Sequence, residues 1–384
     1  MTIGSDILKT VFKNASFSSS NKDGTFDLLV EDGIIQKIEK QITISNDDNV
    51  VDLKGALLIP GLFDIHTHGG GGFDFNMATL EQMDDIMLFF FKNGVTSVLA
   101  TLMTDDLETM YAQLEKIAVL AKKYPQIKGI HLEGPFLSPK YKGAMPQEYI
   151  LNADLDLFKK FQEKARQLIK LITIAPETKN AIDFISEITK ENVIVSLGHS
   201  EATYLETIKA IKAGAKSFTH SFNAMIPFDH HEPGISGALL SENNYCEMIL
   251  DGKHLSPDTV MVLNKIKNHD KLVIVTDSIM AAGLKDGEYY LGKSEIIVKG
   301  GDARLKIGNA RAGSTLTAIN AIRNYASYVN IPLEEASKLM SINPATLLNM
   351  NHRFGSIEVG KDADFLVIID NQIDMVFSKG LRLI

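Results

Sequence analysis

The stretch Leu62-Phe63-Asp64-Ile65-His66-Thr67-His68, followed by Gly69-Gly70-Gly71-Gly72, decides how the chain is read. It is an apolar run that turns polar at its end, as a buried strand does on leaving a sheet. Residues i and i+2 of a strand point to one side, so His66 and His68 can face a single metal ion. Taken alone, a His-x-His pair is more often an ordinary core feature. The four glycines read either as a close backbone approach to something bound or as a flexible loop.

Seven further runs have the same form downstream, and candidate strands lie at 62–68, 97–101, 129–133, 171–175, 193–199, 217–223, 247–250 and 272–277. Helical patterns separate most of them. Met83, Ile86, Met87 and Phe90 recur at helical spacing before Gly94, a natural C-terminal stop. Leu107, Met110, Tyr111, Leu114, Ile117, Ala118 and Ala121 trace a second apolar face, and Leu205, Ile208 and Ile211 a third. Ser256-Pro257-Asp258 reads as an N-cap with a first-turn proline. Eight strand–helix repeats have the size of a (β/α)8 TIM barrel. A doubly wound open sheet is the competing reading, and it loses ground because no glycine-rich nucleotide loop follows the first strand.

The polar residues gather at the ends of these strands. Glu133 closes the third, His199 the fifth, His220 the sixth and Asp277 the eighth. That is the face on which barrel enzymes build their sites. His131 shares a strand face with Glu133 and reads equally as a supporting group or a core histidine. Histidine and carboxylate ligands suit zinc or iron(II). An ion so held lowers the pKa of bound water to about 7 and polarises a carbonyl. Asp277 could then take a proton from that water and give it to a leaving nitrogen. The residues thus reach metal-assisted hydrolysis of an amide or ester, without naming a substrate.

The two ends differ from the middle. Phe26 to Val30 and Ile34 to Ile38 flank Asp32-Gly33 as a hairpin would, and Phe365 to Ile369 and Ile373 to Phe377 are equally β-rich. Residues 1–58 plus 355–384 are expected to form one small β-sandwich, with the barrel at 59–354. The 384 residues carry 45% hydrophobic and 23% charged side chains, which excludes a disordered or collagen-like chain. Charge is 39 − 48 = −9, which argues against a nucleic-acid or anionic-membrane partner. The single cysteine, Cys246, excludes an intrachain disulfide and a cysteine zinc site. Neither a signal peptide nor a run long enough to span a membrane is evident, so a cytoplasmic location is expected.

In these motifs the chain resembles the amidohydrolase superfamily, and within it the N-acetylglucosamine-6-phosphate deacetylase branch. The matching stretches include 60–69, His131-Leu132-Glu133-Gly134-Pro135, Gly198-His199-Ser200, His220-Ser221-Phe222-Asn223-Ala224-Met225, Asp251-Gly252-Lys253-His254, Thr276-Asp277-Ser278 and Gly360-Lys361-Asp362-Ala363-Asp364. The resemblance implies a barrel with a sandwich made from both termini. It implies that Glu133, His199 and His220 hold one divalent ion, zinc or iron, with His66, His68 and Asp277 available for a second. Asp277 matches the catalytic acid/base. Ala144, Asn223, Ala224 and His254 match positions that touch a sugar phosphate, as do Arg311, Ala312 and Gly313. The implied reaction is hydrolysis of N-acetyl-D-glucosamine 6-phosphate to D-glucosamine 6-phosphate and acetate by a cytoplasmic homodimer.

The departures bear on specificity. His231 stands where many relatives carry an arginine that reaches the phosphate across a dimer interface. Met145 and Met280 stand where some relatives place a histidine and an arginine. The galacto epimer and a non-phosphorylated amide therefore stay open as substrates. A dead, sugar-phosphate-binding barrel is the non-enzymatic alternative.

Overall fold

The computed structural model describes residues 9–20 and 24–384; the starting segment 1–8 of the expected sandwich, where a signal peptide was sought, and residues 21–23 lie outside it. Eight parallel strands form one sheet: β1 Leu62–Thr67, β2 Val95–Met103, β3 Ile127–Glu133, β4 Ile169–Ile174, β5 Ile194–Leu197, β6 Ser217–Phe218, β7 Tyr245–Ile249 and β8 Leu272–Val275. Each pairs with its neighbour in chain order. The seam between β1 and β8 is closed from just beyond the strands, by Asp277 N–H to the His66 carbonyl at 2.8 Å and His68 N–H to the Ser278 carbonyl at 2.8 Å. Asp64 adds a side-chain lock there, accepting from Thr276 Oγ1 at 2.6 Å. Burial pushes its carboxyl up to about 7 against those hydrogen bonds. The sheet is thus a barrel.

Helices follow the strands as their patterns dictate. Thr79 and Gln82 cap α1 (Leu80–Lys92) reciprocally, and Met83, Ile86, Met87 and Phe90 turn inward. The chain leaves α1 through Gly94 at φ 83°. A side chain at Gly94 would come within 2.7 Å of Leu366, so the glycine also lets the barrel meet the sandwich. Asp106 caps α2 (Leu107–Lys123), and Ser256 with Pro257 opens a later helix, Pro257–Ile266. The helix Tyr204–Ala213 departs from its expected face. It buries the small Thr207 and Ala210, while Ile208 and Ile211 are half-buried at the flanks and Leu205 stays 71% exposed. Small residues suit a helix that lies close to its neighbours on both sides.

The ends of the chain make two four-stranded sheets. One runs 34–39, 26–31, 10–15, 49–52; the other runs 381–382, 372–378, 365–369, 57–60. Asp32 at φ 51° and Gly33 at φ 76° make the expected hairpin turn. Phe12, Phe365 and Phe377 meet pairwise at 4.9–5.1 Å between ring centres, so residues from both termini share one core.

One unit has no counterpart in the sequence reading. After β8 a three-stranded antiparallel flap, Gly287–Leu291, Ser294–Lys299 and Asp302–Leu305, lies over the mouth of the barrel. Its apolar side (Leu291, Ile296, Val298 and Ala303) packs on Met103, Leu137 and Met145. Among the described residues no helix is long and apolar enough to cross a membrane.

Candidate active site

Two of the expected ligands lie on strands as predicted: His66 in β1 and Glu133 at the end of β3. His199, His220 and Asp277 do not. The strands β5, β6 and β8 stop two residues short of them, and all three residues turn to positive φ, at 48°, 30° and 47°. Such backbone is strained for a non-glycine residue. Hydrogen bonds hold it in place: Ser138 N–H to the His199 carbonyl at 2.9 Å, Asn223 N–H to the His220 carbonyl at 2.9 Å and Ser314 N–H to the Asp277 carbonyl at 2.7 Å. The turn aims each side chain across the barrel mouth, where a continued strand would have carried it past.

The side chains converge in two buried groups that meet at Glu133. His199 Nε2 and His220 Nε2 lie 3.0 Å apart, and each is 3.1 Å from Glu133 Oε1. In the other group Asp277 Oδ1 is 3.2 Å from His68 Nε2 and 3.6 Å from His66 Nε2. His68 Nε2 is also 3.2 Å from Glu133 Oε2, so the glutamate spans both groups. Ligand atoms about 2.0–2.1 Å from a zinc or iron ion sit roughly 3.0–3.4 Å from one another, so these edges fit a bound ion. Ring orientation agrees. His199 Nδ1 is 2.8 Å from the Tyr141 carbonyl, and His66 Nδ1 is 2.9 Å from Glu247 Oε2. An acceptor at Nδ1 puts the proton there and leaves the Nε2 lone pair facing the centre. His66 Nε2 is fully buried with no hydrogen-bond partner among the described residues.

Electrostatics match the geometry. Burial alone would raise Asp277 and Glu133, yet the facing histidines hold both carboxyls below their usual range. Burial opposes a proton on His68, and the Asp277 and Glu133 carboxylates outweigh it, lifting the ring to about 9 without metal.

His131 proves to be a supporting core residue. Burial and neighbouring His66 keep it neutral, its Nε2 lies 2.9 Å from Thr173 Oγ1, and its ring packs edge-on against His66 at 4.6 Å. The four glycines approach no ligand cavity. Gly69 and Gly70 pair with Phe73 and Asp74, and a Cβ on Gly70 would lie 2.1 Å from the Phe89 ring. At Gly69, Gly70 and Gly71 the lack of a side chain serves packing of the loop, in place of an approach to something bound.

Two carboxylates went unread. Glu247, inside β7, receives His66 Nδ1–H. Glu177, three residues beyond β4, accepts from Ser200 Oγ and from Glu201 N–H at 2.7 Å each, steadying the turn that carries His199. The signal for Glu247 was an acid in mid-strand, between Cys246 and Met248 in an apolar run.

Above the two groups opens a cavity of about 530 Å³. His68, Glu133, His199, His220 and Asp277 reach it from below, with Ala144, Asn223, Ala224, His254, Arg311 and Gly313 on its walls. His254 is oriented by Asp251, whose Oδ2 lies 2.7 Å from its Nδ1. Three expected residues are not on the cavity wall. His66 lies beneath it, Ala312 is buried in the flap core, and His231 stands exposed, its ring tilted against that of His230 at 3.9 Å between centres. Arg311 is held by Asp302 through two hydrogen bonds, at 2.8 and 3.2 Å. Met145 belongs to the apolar floor of the flap, and Met280 sulfur receives Tyr290 N–H at 3.3 Å.

The Amidohydrolase family model matches residues 57–383. N-acetylglucosamine-6-phosphate deacetylase of Bacillus subtilis (strain 168) is 37% identical over 334 residues, 84% of this chain and 83% of its own. N-acetylgalactosamine-6-phosphate deacetylase of Escherichia coli O157:H7 is 33% identical over 345 residues, 89% of this chain and 90% of its own. A solved structure of a mutant N-acetyl-D-glucosamine-6-phosphate deacetylase from Mycobacterium smegmatis, in complex with N-acetyl-D-glucosamine 6-phosphate, superposes with a TM-score of 0.89 at 28% identity, covering 98% of this chain and 99% of that one.

Proposed function

The chain belongs to the amidohydrolase family and, within it, to the N-acetylglucosamine-6-phosphate deacetylases; from that premise we propose that it hydrolyses the acetamide of N-acetyl-D-glucosamine 6-phosphate to acetate and D-glucosamine 6-phosphate. The observation that carries this is the placing of Asp277: it lines the cavity and touches His68 at 3.2 Å, beside Glu133 and the three remaining histidines. The donor set fits zinc or iron(II), as one ion held by Glu133, His199 and His220 or as two ions with His66, His68 and Asp277 added. A bound divalent ion would supply Lewis-acid polarisation of the carbonyl and a more acidic water. Asp277, ionised at rest, accepts the proton of the attacking water and hands the same proton to the departing amine nitrogen. The acid C–O bond forms and the C–N bond breaks, and the acetic acid then loses its own proton to the released amine, so water is balanced by acetate and the protonated amine. Asn223, Ala224 and Ala144 shape the wall for the acyl sugar, and His254, fixed by Asp251, offers Nε2 to it. Arg311 is the cavity cation suited to a phosphate.

The galacto epimer is the second reading, favoured by the similarity to the E. coli relative. A cytoplasmic homodimer belongs to the same proposal, and the exposed loop of Phe228, His230 and His231 gives it a surface. Acetate release from both 6-phosphates and from the unphosphorylated sugars, by metal-analysed protein, tests the whole reading. Release from N-acetylglucosamine 6-phosphate in excess over its epimer is expected. No release from any of the four, with metal bound, overturns it.

A further inference from the structure

We propose that Glu247 is a positioning residue that ties the two metal-ligand groups together and sets how strongly the chain binds metal. This rests on the metal-dependent reading of the site and deepens it. Glu247 lies in β7, fully buried, pointing into the barrel beneath the ligands. A single oxygen, Oε2, meets His66 Nδ1 at 2.9 Å and receives the His220 backbone N–H at 3.1 Å. His66 belongs to one group and His220 to the other. One carboxylate oxygen therefore fixes the tautomer and tilt of a ligand ring on one side. On the other it pins the strained turn, at φ 30°, from which the second ligand is aimed.

The bland alternative is a carboxylate that merely fills the core. Charge argues against it. An isolated buried carboxylate is costly and normally has a cationic partner. Among the described residues Glu247 forms no ion pair with lysine or arginine; its only charge partner is His66. Its second oxygen, Oε1, is buried and has no hydrogen-bond partner among the described residues. Oε2 is committed to the ligand cluster, where accepting from Nδ1–H makes His66 a stronger donor to a cation. Neighbouring Cys246 and Met248 alternate to the opposite face of the strand, and of the three side chains on the inward face, Tyr245, Glu247 and Ile249, only Glu247 carries a carboxylate.

Glu247→Gln keeps the size of the side chain and an acceptor oxygen but removes the charge. Metal-stripped wild-type and variant proteins would be titrated with Zn(II) and Co(II). Bound metal would be counted by elemental analysis and the Co(II) visible bands recorded. Melting temperatures would be measured with and without metal. The expected result is metal affinity weaker by about 10-fold to 100-fold. The Co(II) spectrum should change, and the metal-induced rise in Tm should shrink, with the metal-free Tm at or above that of the wild type. Wild-type affinity and an unchanged Co(II) spectrum in Glu247→Gln would overturn the proposal. So would a fall in metal-free Tm with the metal-induced rise intact, which marks a core-filling role. Should Glu247→Gln fail to fold, Glu247→Leu, which leaves no buried charge, is read by the same criteria. Failure of the wild-type protein itself to bind metal would instead overturn the metal reading, and this proposal with it.

Discussion

The floor and the rim of the cavity are built on opposite plans. On the floor, six side chains from five strand ends converge with free lone pairs, and each ring whose Nδ1 has a partner is locked by a carbonyl or carboxylate behind it. At the rim, the cations already have partners within the chain. Arg311 is engaged by Asp302, Lys140 by Glu201 at 2.8 Å, and Lys142 by the Met145 carbonyl at 3.0 Å. The floor is poised to act on whatever amide reaches it. The rim has to release or share its charges to hold an anion, so it governs which amide arrives. Chemistry and specificity are therefore separable in this molecule, and mutations should separate them.

The largest effect is expected on the floor. Asp277→Asn removes the only carboxylate of the second group without changing its shape, and general acid–base catalysis is worth about 10²–10⁴-fold. Turnover should fall by at least ~10³-fold while Glu133, His199 and His220 still retain an ion by elemental analysis. Turnover within ten-fold of wild type would move the proton-transfer role elsewhere. Next comes the rim. Arg311→Ala should raise KM for the phosphorylated sugar by roughly 10-fold to 100-fold, the value of a charge-assisted hydrogen bond, and leave kcat nearly unchanged. The unphosphorylated sugar should not notice. In the same assay His231→Ala should change KM by less than about two-fold, because His231 stands outside the cavity of its own chain. A larger rise would show that a second copy brings it to the substrate.

Glu177→Gln probes the border between the two plans. It weakens the acceptors of Ser200 Oγ and Glu201 N–H while touching no ligand directly. Because Ser200 also links to Ala224 through N–H to carbonyl at 3.0 Å, loss of this carboxylate loosens a ligand turn and a substrate wall together. A fall of kcat/KM by about 3-fold to 10-fold, shared between kcat and KM, is expected. An effect on KM alone would assign Glu177 to the rim.

The same division decides what could be read from the sequence. The floor was legible because its residues end apolar runs: a histidine or acid closing a strand stands out against valine and isoleucine. Periodicity was also enough for the barrel, and the sandwich from both ends was legible because Phe26 to Val30, Ile34 to Ile38, Phe365 to Ile369 and Ile373 to Phe377 are equally β-rich. What failed was local. Strands were extended to His199, His220 and Asp277 because the sequence gives no sign of a positive φ at a histidine or aspartate. The glycine run looked like a ligand loop because nothing nearby in sequence announces Phe89 as its packing partner. The flap was missed because its strands are short and half-exposed, so Tyr289 to Leu291 and Ile296 to Val298 stand as brief apolar runs with no helix between them. Glu247 hid inside a strand read only for its apolar neighbours.

A small change in stability tests whether the rim is held by charge. Arg311, aided by Arg304, keeps the Asp302 carboxyl at about 2, below its ordinary 3.8. A folded-state pKa below the unfolded one contributes stability that is full above about pH 4 and is lost as pH falls through about 2. The pair is partly exposed, and solvent screening limits its worth to under ~1 kcal/mol. Asp302→Asn should therefore lower the urea midpoint slightly at pH 7 and not at pH 2. A difference that persists at pH 2 would mean that Asp302 anchors the flap by shape and not by its charge. At pH 7 the freed guanidinium of the same variant should also lower KM for the 6-phosphate by about 2-fold to 3-fold, since it no longer has to exchange one carboxylate for the incoming anion. An unchanged KM would place the phosphate away from Arg311, and the floor and rim would then share less of the substrate than the cavity suggests.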